Sequence, residues 1–242
     1  MHYFRTIVFS SVLAGIIAGA AVTGAQLVST APLILKAEVF EKEASSHHEG
    51  EGAATAPTTA LAPAHAHEHE RDAWEPSDGV ERTSFTLAAN ILTAIGWAML
   101  LSGLMMVRGK PVGWRDGLLW GAAGFACVML APMAGLPPEL PATPAAPLEA
   151  RQFWWISTAV CTAAGLALAC FRPKPWTFVV ALVLIASPHI VGAPLFTGDE
   201  KPLAPPELEH QFIVAALLTS LLSWLLIGPL SGFFLRRFQQ EA

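Results

Sequence analysis

The chain predicts an all-α integral membrane protein of about six transmembrane helices, and three observations lead there. Of its 242 residues 53% are hydrophobic while only 14 are Lys or Arg and 19 are Asp or Glu, too few charges to cover a water-exposed surface. The charges fall between six apolar runs, each near the ~20 residues that a hydrocarbon core of roughly 30 Å requires at helical rise. A single polar insert breaks the pattern, carrying His47, His48, His65, His67 and His69 among Glu49, Glu51, Glu68 and Glu70.

In chain order the predicted spans are 7–28, 85–107, 118–136, 153–171, 176–195 and 212–235. The first has signal-peptide features, Arg5 followed by an apolar run and Ala18-Gly19-Ala20. That run continues almost unbroken to Leu35, longer than a signal core, so a retained helix is expected. Residues 1–40 are then the first span with its outer end, 41–84 a disordered His/Glu-rich loop, and 85–242 a five-helix bundle. The insert has no apolar periodicity and hardly a large hydrophobic side chain, so it cannot bury enough surface to offset its ordering entropy.

Sorting Lys and Arg by alternate connections puts Arg5, Arg108, Lys110, Arg115, Arg172, Lys174, Arg236 and Arg237 on one side, in short turns. The positive-inside rule makes that side cytoplasmic, with both termini, in a bacterial inner membrane. The opposite connections hold every acid except Asp116 and Glu241. An acidic outer face concentrates cations.

A weak internal repeat runs through the spans. The three outward helices end alike, at Ala31-Pro32-Leu33, Ala131-Pro132-Met133 and Ser187-Pro188-His189, and the three inward ones open alike, with Glu81-Arg82 ahead of Phe85, Glu149-Ala150-Arg151-Gln152-Phe153, and Glu209-His210-Gln211-Phe212. Three tandem helical hairpins are predicted, the first outer loop being enlarged by the histidine insert.

Metal chemistry is the reading that the polar residues favour. Alternation in His65-Ala66-His67-Glu68-His69-Glu70 brings imidazoles and carboxylates close along the chain, a ligand set for divalent zinc, nickel, copper or cobalt. A mobile segment suits capture better than selective high-affinity binding, because the metal must order its own ligands; a solvated acidic loop is the plain alternative. His189 follows Pro188 inside a span, where the missing proline amide is expected to leave carbonyls open to a ligand. An interhelical hydrogen bond is its plain alternative. Glu139, in the turn Pro137-Pro138-Glu139-Leu140-Pro141, and Glu38 stand at similar distances from Pro132 and Pro32 and are candidates for the same outer site. Glu207, in Pro205-Pro206-Glu207-Leu208, is the counterpart of Glu139 in the last loop. Inside the membrane Gln26, Asn90 and Thr93 are the polar groups expected along an ion path, while the methionines are read as gap fillers. Gly15-x-x-x-Gly19 and Gly117-x-x-x-Gly121 predict close helix contact. Cys127, Cys161 and Cys170 form no C-x-x-C pair and are read as packing residues. No phosphate-binding loop or catalytic motif occurs, so no enzyme activity is expected and any ATP-driven step must come from a partner.

Four stretches carry a family resemblance: the turn from Gly135 to Pro141, the helix start Arg151-Gln152-Phe153-Trp154-Trp155, the segment from Ser187 to Pro194, and the segment from Pro32 to Glu41. With them the chain resembles, from end to end, the CbtA family of predicted cobalt transporter subunits. The resemblance implies cobalt as the bound or transported ion, a link to cobalamin biosynthesis, and a small single-span His-rich partner, CbtB. The family is described with five spans, against the six counted here. Besides the bilayer and such a subunit, self-association is left open, and no nucleic acid is expected. The leading expectation is a cobalt-uptake subunit whose loop passes the ion to His189, Glu139 and Glu38. Its rival is a membrane scaffold that binds metal and delivers it to another permease or enzyme without transporting it.

Overall fold

The computed structural model describes residues 2–51, 76–110 and 112–240. These form helices α1 (His2–Val28), α2 (Thr30–Glu51), α3 (Val80–Val107), α4 (Trp114–Phe125), α5 (Ala131–Met133), α6 (Leu148–Phe171), α7 (Pro175–Val191) and α8 (Pro206–Gln240), with a π-helical turn, Ala126–Leu130, joining α4 to α5. No strand occurs among the described residues. The π turn has a local cause. Pro132 has no amide to donate, and just before it the Ala131 N–H bonds five residues back, to the Ala126 carbonyl, widening the turn.

Five helical stretches, with α4 to α5 counted as one, are long and apolar enough to cross a membrane. The sixth expected span is shorter: α7 has 17 residues, a rise of about 26 Å. It stops at Gly192, whose φ of +88° terminates the helix, so the predicted extension to residue 195 is not helical. It packs along α6 as far as that helix's second turn, where the Trp154 indole N–H donates to the Pro188 carbonyl at 3.1 Å.

Both ends of the expected insert are helical. Helix α2 continues past residue 41, where the insert was expected to begin, as far as Glu51; Glu41, Lys42, Glu43 and Ala44 are good helix formers. Helix α3 starts at Val80, not 85, and the Ser77 N–H donates to Glu81 just ahead of its first turn at 3.1 Å.

The tandem-hairpin arrangement holds for α1 with α3 but not for the rest. The main pairings are α1 with α3, α4 with α8 and α6 with α7, and α8 also lies against α1 and α3. Gly117 and Gly121 explain the exchange. A Cβ on Gly117 would lie 2.8 Å from the Gly228 carbonyl carbon, and one on Gly228 would lie 2.8 Å from the Gly121 N and Cα, so α4 and α8 touch backbone to backbone. On α1, a Cβ on Gly19 would lie 2.6 Å from Ile91 Cα of α3. Small side chains continue these contacts: Ala14, Ala18 and Ala98 are fully buried beside Met105, Ile227 and Leu235. The outer surface is the reverse, with Leu92, Leu119, Phe153 and Ile190 all at least 70% exposed. That inside-out pattern suits lipid, in which small residues drive helix association and large apolar ones face the solvent.

Candidate functional site

The proline turns meet at one end of the bundle. There α1 breaks at Ser29, whose N–H bonds to Ala25 and Gln26 carbonyls at 3.1 and 3.3 Å, and α2 turns away. A small core closes this end: Ala37 from α2, Leu140 from the turn after α5, and Ala204 and Leu208 at the start of α8 are buried together, with Leu33, Phe40 and Phe212 packed around them. Leu140 and Leu208 are the equivalent leucines of the two Pro-Pro-Glu-Leu turns. Burying them together brings the three connections at this end onto one rim, which includes α2 and to which the described chain returns at residue 76.

On this rim the expected carboxylates are already partnered. Glu38 of α2 forms an ion pair with Arg82 of α3, which holds both its oxygens. Arg82 also reaches Asp78 at 3.1 Å. Glu139 is held by Arg151 of α6 at 2.5 Å. Both pairs are partly buried, and they match in sequence position: each ties an acid that follows a proline to the arginine near the start of the next bundle helix. The sequence reading used Arg82 and Arg151 only as markers of helix starts and missed this role; their matching place in two repeats was the available signal. In the third repeat His210 occupies the place of the arginine and Glu207 that of the acid. Glu207 lies beside Lys36, Phe40 and Gln211 around a shallow cavity of about 430 Å³.

His189 stands apart from the two carboxylates. It is exposed on α7, with its ring edge-on to Trp154 at a centroid distance of 5.7 Å. Nor does Pro188 leave its carbonyl open. The group it cannot bond, the Leu184 carbonyl four residues back, accepts from the Ser187 hydroxyl at 2.9 Å, and the Pro188 carbonyl accepts from Trp154 Nε1 and from the Gly192 N–H at 3.0 Å. The Leu184 and Pro188 carbonyls are thus both used within the protein.

Among the described residues no three His, Cys, Asp or Glu side chains gather as a metal-binding group. His47 and His48 lie in the last turns of α2, beyond the described side chains, and His65, His67, Glu68, His69 and Glu70 lie outside the described residues.

Within the spans the structure unites two of the three expected polar residues. The Asn90 amide donates to Thr23 Oγ1 at 2.9 Å and to Gln26 Oε1 at 2.6 Å, joining α3 to α1 near the proline end. Thr93, one turn along α3, is exposed and takes no part in the cluster. Nearer the other end the Ser11 hydroxyl donates to Ser102 at 3.3 Å, while Ser10 and Ser231 are fully buried with no hydrogen-bond partner. Met105 is wholly buried in the core, as gap filling predicts. Met129 and Met133 line a cavity of about 700 Å³ with Arg151 and Trp155. The three cysteines are free.

A family model described as "Probable cobalt transporter subunit (CbtA)" matches residues 4–236. No curated protein and no solved structure matches the chain.

Proposed function

Since the chain belongs to the CbtA family, whose members are probable cobalt transporter subunits, we propose that it is the membrane subunit of a cobalt-uptake system that supplies cobalamin biosynthesis. It sits in the bacterial inner membrane with both termini in the cytoplasm and the proline rim outside, the orientation that the basic short turns favour. A CbtB-like single-span subunit is its partner. The His/Glu segment, residues 41–84, captures the divalent ion through His47, His48, His65, His67, Glu68, His69 and Glu70. It hands the ion to the rim, where Glu38 and Glu139 are the carboxylates within reach and His189 is an accessory imidazole.

One observation supports this reading above the others: the insert springs from the same rim on which Glu38 and Glu139 are held by arginines. Each carboxylate is thereby paired with a cation and partly dehydrated. A dication carries twice the charge of the arginine it displaces, so exchange at these sites is electrostatically reasonable where a bare site would be costly. Beyond the rim the ion needs oxygen ligands or water to cross. The Thr23–Gln26–Asn90 cluster and the buried serines are the groups available.

The rival reading, a scaffold that binds metal and passes it to another permease or enzyme, draws on the placement of charge. The described acids lie in α2, in connections or in the first turns of the spanning helices, whereas coupled transporters carry ionisable groups at mid-membrane. Proteoliposomes holding the chain, with and without the single-span partner, decide between them. Radioactive cobalt accumulation that rises with the chain and falls in Glu38→Gln and Glu139→Gln variants is the expected result. Tight cobalt binding with no accumulation in either preparation would establish the scaffold instead.

A further inference from the structure

At the end of the bundle opposite the proline rim lies a pocket that the cobalt reading does not use. It encloses about 570 Å³, lined chiefly by Gly113, Trp114, Arg115, Asp116, Arg236 and Gln239. Two elements far apart in sequence build it, the first turn of α4 and the last turns of α8. Backbone contact fixes their spacing, since a Cβ on Gly232 would lie 3.1 Å from the Gly113 carbonyl carbon and 3.2 Å from Gly117 Cα. One helical turn further on, the Arg236 guanidinium reaches back over this contact, its Nη1 only 3.6 Å from where a Cβ on Gly113 would sit.

Charge in the pocket is unbalanced. Among the described residues neither Arg115 nor Arg236 forms an ion pair. The acid of the pocket, Asp116, is occupied by the Gly113 N–H at 3.1 Å. Two guanidinium forks therefore face a cavity whose carboxylate is already engaged, and such forks match the geometry of a phosphate group. Arg115 lies over the Trp114 ring at 5.3 Å. Trp114 itself is 52% exposed, and Leu118, one turn along the same face of α4, is also exposed. Tryptophan at this level marks the boundary between headgroups and hydrocarbon. The polar pocket thus opens onto an apolar track that runs into the membrane, which a soluble phosphate would leave unused.

We propose that this pocket binds the phosphate of an anionic phospholipid headgroup between Arg115 and Arg236, with the acyl chains laid over Trp114 and Leu118. The site clamps α8 to the α4 turn from the membrane side.

The test uses the purified full-length chain in detergent with dioctanoyl phosphatidylglycerol, dioctanoyl phosphatidylcholine and inorganic phosphate as separate probes, read by thermophoresis and by native mass spectrometry. Phosphatidylglycerol is expected to bind in preference to phosphatidylcholine, and the R115Q/R236Q variant to bind it roughly 30-fold more weakly. K174Q, which removes a cation from a different turn at the same end, is expected to bind within about twofold of the original. Should the double variant elute aggregated, R236Q alone, altering an exposed side chain, is expected to weaken binding about fivefold. Equal binding of the two lipids, or equal losses in K174Q and R115Q/R236Q, would overturn the site. Inorganic phosphate binding as tightly as phosphatidylglycerol would overturn its assignment to lipid.

Discussion

Glu139 and Arg151 stand twelve residues apart and meet at 2.5 Å on the rim. Two roles are open to such a pair, a brace for the turn or a ligand held in waiting, and exchanging the two charges separates them. The E139R/R151E variant is expected to regain most of the thermal stability that E139Q loses, about 1 kcal/mol for a partly exposed pair. Cobalt accumulation, in contrast, is expected to fail in both; full uptake by the exchanged variant would show that the carboxylate position is not a metal ligand. A second residue-scale expectation concerns the proline in α7. Ser187→Ala uncovers the Leu184 carbonyl and is expected to cost about 1 kcal/mol, seen as a lower unfolding temperature in detergent. Of these features the sequence showed the positions but not the partners. Glu38 and Glu139 were legible from their spacing to a proline. Their arginines were not, because that pairing depends on how each inward helix folds back over its turn. His189 was legible as a polar residue beside a proline, while the hydroxyl of Ser187 that satisfies the freed carbonyl was overlooked.

At the scale of elements, apolar run length located a helix for each of the six predicted spans, five of them long enough to cross a membrane, while α7 is shorter and ends where a glycine adopts positive φ. Helix pairing was only half legible. Gly15-x-x-x-Gly19 and Gly117-x-x-x-Gly121 announce contact faces but not what they touch, and the answering Gly228 and Gly232 of α8 went unnoticed on either side of Pro229. The glycines divide accordingly. Gly117→Leu forces a side chain into the backbone of α8 and is expected to destabilise by at least the 1–3 kcal/mol typical of overpacking. Gly24→Ala meets nothing within 4 Å and is expected to be neutral or slightly stabilising through helix propensity. Unfolding midpoints of the two variants in the same detergent check the contrast. An equal loss in both would mean that the α4–α8 contact does not carry the stability assigned to it.

For the whole molecule, the predicted class of all-α membrane protein matches a bundle in which three pairs of helices share one rim. What the sequence could not supply is the order of pairing, since α4 passes over its neighbour α6 to reach α8. Orientation is checked by single cysteines in a C127A/C161A/C170A background. A membrane-impermeant maleimide is expected to label S77C from the periplasm and K110C only after the membrane is opened, and the reverse pattern would place the histidine segment in the cytosol and end the capture proposal. Deleting residues 52–75 is expected to lower cobalt uptake at low concentration, because it removes His65, His67 and His69; uptake equal to that of the full chain would end the capture proposal.

Helix α8 leaves the ribosome after all the other described helices, yet α1, α3 and α4 rest against it. Until α8 has been made, the glycine face of α4 and the side of α1 that meets α8 therefore lie in the bilayer without that mate. Such a chain is a waiting intermediate, exposed to membrane proteases and to mispairing for the whole of its synthesis. A version stopped after Gly192 is expected to be inserted but rapidly degraded, and co-expressing residues 193–242 as a separate peptide to extend its half-life.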